Sequence, residues 1–339
     1  MQSIAQKAYK YKMVTIYDIA KKLNINASTV SRAMTKPEMV SAKTRKRVLE
    51  AAEELGYLPN MIASQLRSQE SSVIALISLE PAWSWYTDMV LNGAEDRVKE
   101  SGYSIIALSN KTRSYVESIK FCEQMRFAGV ILFSTAIGYN REPIETSIPI
   151  VYINRKNIDS EIILPDESHG IQLALNYLVS MGHSKIGMIS GSNISIHSQM
   201  RYDAYVSFMK KKKYPIASKW CGEAHDWNKD ETYEIANRIF DQDELPTALL
   251  VGDDMMCTCV YKAAQEHGLT VGRDISIVGY NGDEWGKYML PALTTVQFPL
   301  YEMGKQAVEM LVSIVRGLPY EKNVIVRGKL IIRDSVGHI

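Results

Sequence analysis

The pattern of hydrophobic positions divides the chain near residue 70. Before that point apolar residues recur every three or four positions, as in amphipathic helices, and after it short apolar runs alternate with helical stretches. The first part predicts three short helices, over residues 16–23, 27–34 and 42–55. A fourth helix, over residues 60–67, is too short to be stable alone in water.

The second predicted helix has little to bury. Only Val30 and Ala33 face the core, so its other side chains are available for display. Asn26 is a good cap for this helix, as Thr15 is for the first and Ser41 for the third. Two short helices joined by a tight turn are typical of DNA-binding units, but small helical bundles often imitate the pattern.

The third predicted helix has an apolar face that can close a small core on the first two. That face consists of Val48, Leu49, Ala52 and Leu55.

From residue 71 the strand–helix alternation occurs twice in succession, which predicts two lobes with parallel sheets and helices on both faces. A long helix and two short strands after Pro291 suggest a tail that crosses back between the lobes. The predicted strands are residues 73–77, 104–108, 130–133 and 148–152 in the first lobe, and 186–190, 248–251 and 275–279 in the second.

Composition and charge add a functional distinction between the two parts. With 339 residues and 46% apolar side chains, the chain is long enough for two or three domains. Residues 1–70 hold 12 lysines and arginines against 6 acidic residues, whereas the remaining 27 basic residues face 32 acidic ones. A basic head on a mildly acidic body favours binding to a polyanion. A lysine-rich solubilising surface is the alternative, and charge alone does not decide between them.

The chain has neither a signal-peptide pattern nor an apolar run of membrane-spanning length, so we expect a soluble, cytoplasmic protein. The spacing of Cys122, Cys221, Cys257 and Cys259 favours small apolar packing residues over a disulfide or metal site. No nucleotide-binding, Walker or zinc-protease motif is present, and we predict that the chain is not an enzyme and needs no cofactor and no metal.

Nearly the whole chain from Met13 resembles the lac repressor (LacI/GalR) family of bacterial transcriptional regulators. In the headpiece the resemblance rests on Val14-Thr15-Ile16-Tyr17-Asp18-Ile19-Ala20, Ser28-Thr29-Val30-Ser31-Arg32, Val40-Ser41, Thr44-Arg45, Leu55-Gly56-Tyr57, Pro59-Asn60, Ala63 and Leu66. In the body it rests on Gly182-His183, Arg201, residues 275–280, residues 293–296 and residues 330–335.

This resemblance implies a fold class: an all-α helix-turn-helix headpiece with a hinge helix, followed by an α/β two-lobed periplasmic-binding-protein-like (type I) sensor domain. The predicted domains are residues 13–58 for DNA binding, 59–70 for the hinge helix and linker, and 71–339 for effector binding and dimerisation. Within the last, the N-lobe covers about 71–164 and 293–325, and the C-lobe about 165–292 and 326–339.

The resemblance also implies DNA contacts. Base contacts are expected from Ala27, Ser28 and Arg32, because the recognition helix places its first side chains against base edges in the major groove. Phosphate contacts, which position the protein without specifying a sequence, are expected from Thr15, Tyr17, Asn26, Ser31 and Lys43. Minor-groove contacts are expected from the hinge residues Asn60, Ala63, Leu66 and Arg67.

An effector site is implied between the lobes, at the carboxyl ends of parallel strands. The matching residues are Trp83, Trp85, Tyr86, Asn154, Arg201, Trp227, Asp253 and Asn281.

Alternatives exist for parts of this set. The aromatic side chains after the first strand form either one wall of the site or a packing cluster, and Arg201 can instead pair with Asp203 on the surface. The family usually has Asn at the position of Asp253 and Asp at that of Asn281, so the two residue types are exchanged here. The ligand's donors should differ accordingly, and Asp283 could supply a displaced carboxylate.

The predicted function is a homodimeric, allosteric transcriptional repressor of a carbohydrate-utilisation operon. It is expected to bind palindromic double-stranded operator DNA and to be switched by a sugar or sugar derivative. A regulator that responds to purines or another small metabolite is the alternative, and a solute-binding protein without a regulatory role is the alternative of another class. The short stretch after Ser335 predicts no leucine-repeat tail for tetramer formation.

Overall fold

A computed structural model describes residues 14–57, 71–79, 85–109, 114–134, 145–155, 160–191 and 195–339. The described residues form two compact units, one before Ser71 and one from Ser71 to Ile339. Within these ranges no helix has the length and apolar character needed to cross a membrane.

Three α-helices make up the described part of the N-terminal unit, as predicted, and they are α1 Ile16–Leu23, α2 Ala27–Thr35 and α3 Ala42–Leu55. The backbone N–H of Thr15 donates to the Asp18 carboxylate at 2.8 Å, which satisfies one polar group at the start of α1. The Ser41 hydroxyl accepts from the Thr44 N–H at 3.2 Å and caps α3. Gly56 ends α3 in the left-handed conformation, with φ of 65°, which a residue without a side chain adopts at little cost.

The core of this unit is formed by the fully buried Ile19, Val30 and Val48 with neighbouring alanines. Leu49 was predicted to belong to the apolar face of α3, and that prediction is wrong, because its side chain is 44% exposed. The buried face of α3 instead continues from Val48 to Ala51 and Ala52, three and four residues later, which lie on the same side of a helix.

Twelve strands build the described part of the second unit. In chain order they are β1 Val73–Ser78, β2 Ser104–Ser109, β3 Gly129–Phe133, β4 Ile150–Ile153, β5 Glu161–Pro165, β6 Ile186–Ser190, β7 Cys221–Glu223, β8 Ala248–Val251, β9 Ser276–Asn281, β10 Thr294–Gln297, β11 Asn323–Val326 and β12 Lys329–Ile331.

The strands form two six-stranded sheets, one in each lobe. The N-lobe sheet has the order β11-β5-β4-β3-β1-β2, and the C-lobe sheet has the order β12-β10-β9-β8-β6-β7. Neighbouring strands pair in parallel within the described ranges, except that β12 runs antiparallel to β10. This arrangement confirms the predicted two-lobed α/β fold.

Helices cover both sheets, and they are α4 Trp85–Ser101, α5 Tyr115–Gln124, α6 Glu167–Ser180, α7 Ile196–Lys212, α8 Lys229–Phe240, α9 Asp254–Glu266 and α10 Leu300–Val315. The close packing of α4 on α10 depends on two glycines. A side chain at Gly93 would overlap with the carbonyl oxygen of Tyr301, and one at Gly304 would overlap with that of Val90. Both helices therefore approach each other backbone to backbone.

The chain passes between the lobes three times, at Asp166, at residues 298–299 and at residues 327–328. The predicted boundary at residue 293 needs correction, because β10 pairs with β9 and so belongs to the C-lobe sheet. The return to the N-lobe comes only after Gln297. The tail does cross between the lobes, as the sequence suggested.

Candidate functional site

The N-terminal unit displays part of α2 to solvent. Ser28 and Arg32 lie four residues apart on one face of α2, and both are exposed. Ala27 is half-buried and packs against the small core. Of the three predicted base contacts, Ser28 and Arg32 thus have the accessibility that a base contact requires, whereas Ala27 offers only part of its methyl group.

The Asn26 side chain fixes the start of α2 and the Ser28 hydroxyl together. Its Oδ1 atom accepts from the Ser28 N–H and from the Ser28 hydroxyl, each at 3.0 Å. Because the hydroxyl proton is directed at Asn26, Ser28 presents its oxygen lone pairs outward.

The predicted phosphate contacts differ in accessibility. Thr15, Tyr17, Asn26 and Lys43 are exposed, and Ser31 is half-buried. The Thr15 hydroxyl donates to Asp18 at 2.7 Å, so its proton is used within the protein. Five predicted site residues lie outside the described residues. Four belong to the hinge, Asn60, Ala63, Leu66 and Arg67, and the fifth is Trp83 of the predicted effector set.

Arg201 lies in the interior of the C-lobe, where only 4% of the residue is exposed. Its guanidinium donates to the Glu167 carboxylate from Nε at 2.8 Å and from Nη2 at 3.1 Å, and Nη1 donates to the carbonyl oxygen of Gly252 at 2.8 Å. The alternative pairing with Asp203 is therefore wrong, because Asp203 accepts from Gln199 instead.

Glu167 is fully buried and was not identified from the sequence. Besides Arg201 it accepts from the Tyr280 hydroxyl at 2.7 Å, and His197 Nδ1 lies 2.9 Å from its Oε1. Burial alone would raise the pKa of this carboxyl, but Arg201 and His197 outweigh it and hold the pKa at about 2. The signal in the sequence was an acidic residue two positions after Glu161–Pro165, a strand that the apolar pattern did not reveal.

Tyr86, Asp253 and Asn281 form a hydrogen-bonded group of three between the lobes. The Tyr86 hydroxyl donates to Asp253 Oδ2 at 2.8 Å and accepts from Asn281 Nδ2 at 2.7 Å. Asn281 Nδ2 also donates to Asp253 Oδ2 at 2.7 Å. Tyr86 belongs to α4 of the N-lobe, whereas the other two residues follow or end strands of the C-lobe sheet. Three of the predicted effector residues are thus brought together.

Two further aspartates, Asp254 and Asp283, are hydrogen-bonded to each other near Asp253. Asp254 accepts from the Thr295 hydroxyl at 2.6 Å and from the Asp283 N–H at 2.7 Å. Burial raises the pKa of Asp254 well above its ordinary value. Burial and the neighbouring Asp253 raise the pKa of Asp283 to about 7. Near neutral pH the C-lobe side of the cleft therefore carries less negative charge than its aspartate residues suggest.

Aromatic rings line the same region. The Trp227 side chain lies against Gly191 and Gly252, and its ring centroid is 5.7 Å from the Arg201 guanidinium carbon. Trp85 and Tyr86 pack edge to face, with ring centroids 5.5 Å apart. Trp85 and Tyr86 both also pack against the main hydrophobic core, so packing contacts alone do not separate the two predicted roles of these rings.

Asn154 follows β4 at the edge of the N-lobe sheet, where the backbone adopts a φ of 66°. Only 2% of the residue is exposed, and neither atom of its side-chain amide has a hydrogen-bond partner among the described residues. A buried amide in this state is suited to receive a polar ligand atom.

Family models match both units of the chain. Residues 15–60 match the model described as bacterial regulatory proteins, lacI family. Residues 175–336 match the periplasmic binding protein-like domain.

Two characterised relatives extend over most of the chain. The HTH-type transcriptional repressor PurR of Pasteurella multocida (strain Pm70) is 30% identical over 336 residues, covering 96% of this chain and 99% of the relative. The lactose operon repressor of Escherichia coli (strain K12) is 28% identical over 334 residues, covering 96% and 91%.

Solved structures agree in architecture. The crystal structure of the lac repressor dimer bound to operator and the anti-inducer ONPF superimposes with a TM-score of 0.83 at 26% identity, covering 96% of this chain and 99% of that one. The transcriptional regulator CelR–cellobiose complex, at 20% identity and a TM-score of 0.65, shares the fold.

Proposed function

The chain belongs to the lacI family of bacterial regulatory proteins, and from that premise we propose that it is a repressor whose operator affinity is switched by a small effector. The proposal is one of regulation and not of catalysis. The regulator binds palindromic operator DNA as a homodimer, and the effector is a sugar or sugar derivative bound between the lobes.

The main support for the proposed DNA binding is the exposed face of α2. Arg32 supplies the forked donors that suit guanine O6 and N7 in the major groove. Ser28, whose proton is held by Asn26, offers an acceptor to the amino group of adenine or cytosine. Thr15, Tyr17, Asn26, Ser31 and Lys43 are assigned to the phosphates, where contacts set the register of the protein on the duplex.

Residues that the structure does not describe complete the proposed DNA contact. We assign Asn60, Ala63, Leu66 and Arg67 to the minor groove on the basis of the family resemblance. Domain limits at residues 58 and 70 belong to the same proposal.

The effector part is supported by the polar groups at the ends of the C-lobe strands. Asp253 and Asn281 offer an acceptor and a donor side by side, which fits a hydroxyl group. Trp227 supplies an aromatic face of the kind that packs on the apolar side of a sugar ring. Asn154 contributes an amide from the other lobe, and Trp83 and Trp85 belong to the same proposed set.

A purine effector is the second candidate. Several relatives that are 27–30% identical to this chain are named as PurR repressors, and the rings of Tyr86 and Trp227 can also stack on a planar base. A thermal-shift series with sugars and with purines separates the two classes, because a bound ligand stabilises the folded protein by mass action.

Homodimer formation is supported by an exposed apolar patch on the C-lobe. Trp285 is 69% exposed, Tyr288 73% and Leu290 94%, and the three residues lie within six positions of one another. Large exposed apolar side chains this close together in the chain favour an interaction site. The lac repressor structure that superimposes on this chain is a dimer bound to operator.

The test of the DNA-binding proposal is selection of bound duplexes from a pool of randomised palindromes, followed by affinity measurements at several salt concentrations. We expect Arg32→Ala to weaken the selected site by about 1–3 kcal/mol and to relax the preference at one base position. Lys211→Ala removes the same charge from the exposed end of α7 and serves as the matched control, with unchanged affinity. A wild-type affinity that is equal for all duplexes, or absent, would contradict the proposal.

A further inference from the structure

Among the described residues of the candidate effector site, the Tyr86 hydroxyl forms hydrogen bonds from the N-lobe to side chains of the C-lobe. It lies 2.8 Å from Asp253 Oδ2 and 2.7 Å from Asn281 Nδ2. Asp253 and Asn281 are 8% and 3% exposed, so this contact is largely shielded from water. Hydrogen bonds to a charged acceptor in such surroundings are stronger than those on the surface.

The two bonds define the chemistry of the position. One oxygen atom donates to Asp253 and at the same time accepts from Asn281. A hydroxyl group can do both, whereas a ring N–H only donates and a carbonyl oxygen only accepts. The position occupied by the tyrosine oxygen is therefore a subsite for a hydroxyl group.

We propose that the Tyr86 hydroxyl is a built-in competitor, which occupies this hydroxyl subsite and holds the lobes together until a hydroxyl group of the effector replaces it. The inference rests on the proposed function of the cleft and narrows its ligand to a hydroxylated compound. Tyr86 then acts as a specificity-determining residue, because a ligand without a hydroxyl group cannot restore both bonds when it displaces the tyrosine. A ligand that displaces Tyr86 without replacing its donor leaves Asp253 with only the hydrogen bonds from Asn281 and from the Met255 N–H, and the lost bond to a largely buried carboxylate lowers its affinity.

The protonation of Tyr86 is consistent with this role. Burial, with an added contribution from Asp253, raises the pKa of the phenol above its ordinary value. The hydroxyl therefore keeps its proton near neutral pH, and it remains a donor to Asp253.

The lobe contact can be tested in full-length protein without a ligand. Tyr86→Phe removes the oxygen atom and keeps the ring, and we expect hydrogen–deuterium exchange to become at least about threefold faster in peptides covering residues 85–90, 252–256 and 279–283. Tyr301→Phe is the matched control, because its hydroxyl also donates to a carboxylate, Asp96 at 2.7 Å, but within the N-lobe. Unchanged exchange in Tyr86→Phe, or equal acceleration in both variants, overturns the proposal.

The hydroxyl subsite is tested by calorimetric titration with D-glucose, D-galactose and hypoxanthine. Removing the competitor should tighten sugar binding about tenfold in Tyr86→Phe, because the free energy of the lost bonds no longer opposes the ligand. Weaker or unchanged sugar binding in the variant overturns the proposal, as does binding of hypoxanthine without either sugar. If none of the three compounds binds, the exchange comparison decides.

Neither measurement uses DNA. A failure to bind operators would refute the proposed regulatory function without affecting these results, and unchanged exchange with intact operator binding would refute the Tyr86 proposal alone.

Discussion

At the scale of single residues, the most consequential side chain in the C-lobe is that of Glu167, which contacts three polar neighbours and is fully buried. Glu167 balances the charge of Arg201, accepts from Tyr280 and lies next to His197. Arg201 in turn packs over the Tyr280 ring, 3.8 Å from the ring centroid to the guanidinium carbon. The orientation of the buried Arg201 guanidinium therefore depends on the Glu167 carboxylate, which is shielded from water.

Replacing this carboxylate should cost stability in a pH-dependent way. Glu167→Gln leaves Arg201 buried without a counter-charge, and we expect a loss of about 3 kcal/mol in the free energy of unfolding near pH 7. The pKa of Glu167 is about 2 in the folded protein and 4.5 ordinarily, so the contribution of the carboxylate is complete above about pH 5 and declines as the pH falls from 4.5 toward 2. Urea unfolding followed by tryptophan fluorescence at several pH values measures it.

The control for this prediction is Glu244→Gln. Glu244 also faces two cations, Lys185 and Lys219, but its side chain is exposed, and we expect no measurable change in stability. A difference between wild type and Glu167→Gln that is small and independent of pH would show that the buried pair contributes little.

The sequence identified some of these residues but not others. Arg201, Asp253 and Asn281 were proposed because they match positions in a known family, and the last two do lie within hydrogen-bond distance of each other. Glu167 could not be found in this way, since its importance comes from three partners that are distant along the chain. Which residue pairs with a buried arginine is decided by the packing of α6 against α7, and no local pattern encodes it.

At the scale of secondary structure, the contact in the N-lobe that is least tolerant of larger side chains is the crossing of α4 and α10. The two helices meet through Gly93 and Gly304, and the neighbouring backbone fills the space that side chains would need. Interiors packed this closely do not accept an added methyl group without a shift of the backbone.

Gly93→Ala is therefore expected to destabilise the protein by at least about 2 kcal/mol, although alanine is the better helix former. Thermal unfolding monitored by circular dichroism measures this change. Asn92→Ala, one position earlier on the exposed side of α4, is the control and should stay within about 0.5 kcal/mol of wild type. If Gly93→Ala and Asn92→Ala are equally stable, α4 and α10 can move apart without a loss in the free energy of unfolding.

Elements differed in how well the sequence predicted them. The fully buried strands β6 and β8 were predicted with their observed limits, because a continuous apolar run is a strong signal for a central strand. Strands β5, β7 and β10 were missed, since β5 carries Glu161 and Pro165, β7 has only three half-buried residues, and β10 reads as polar threonines. These strands are specified by their partners more than by their own composition.

At the scale of the whole molecule, the proposed dimer depends on exposed side chains of the C-lobe and not on residues of the hydrophobic core. Leu290 is 94% exposed, so a change at this position leaves the packing of the lobe intact and acts only on association. A regulator that binds two half-sites loses affinity sharply when its two copies separate.

Leu290→Asp should accordingly raise the dimer dissociation constant at least about tenfold, because it places a charge in the centre of an apolar contact. Sedimentation velocity over a range of concentrations measures the shift, and operator binding should weaken in the same variant. Leu318→Asp, at another exposed leucine, is the control with unchanged assembly. If both variants sediment like the wild type, the patch around Trp285 is not the dimer surface.

The three passages of the chain between the lobes also limit how this regulator can be recombined with others. Each lobe is assembled from separate stretches of sequence, so exchanging a single lobe between two regulators requires three coordinated joints, at Asp166, residues 298–299 and residues 327–328. The N-terminal unit, by contrast, comes from one continuous stretch before Ser71 and needs only one joint. A chimeric regulator that joins another DNA-binding unit to this effector-binding unit therefore needs a single fusion point. A change of the effector cleft, by contrast, requires exchange of the complete effector-binding unit, because each lobe is made from several stretches of sequence.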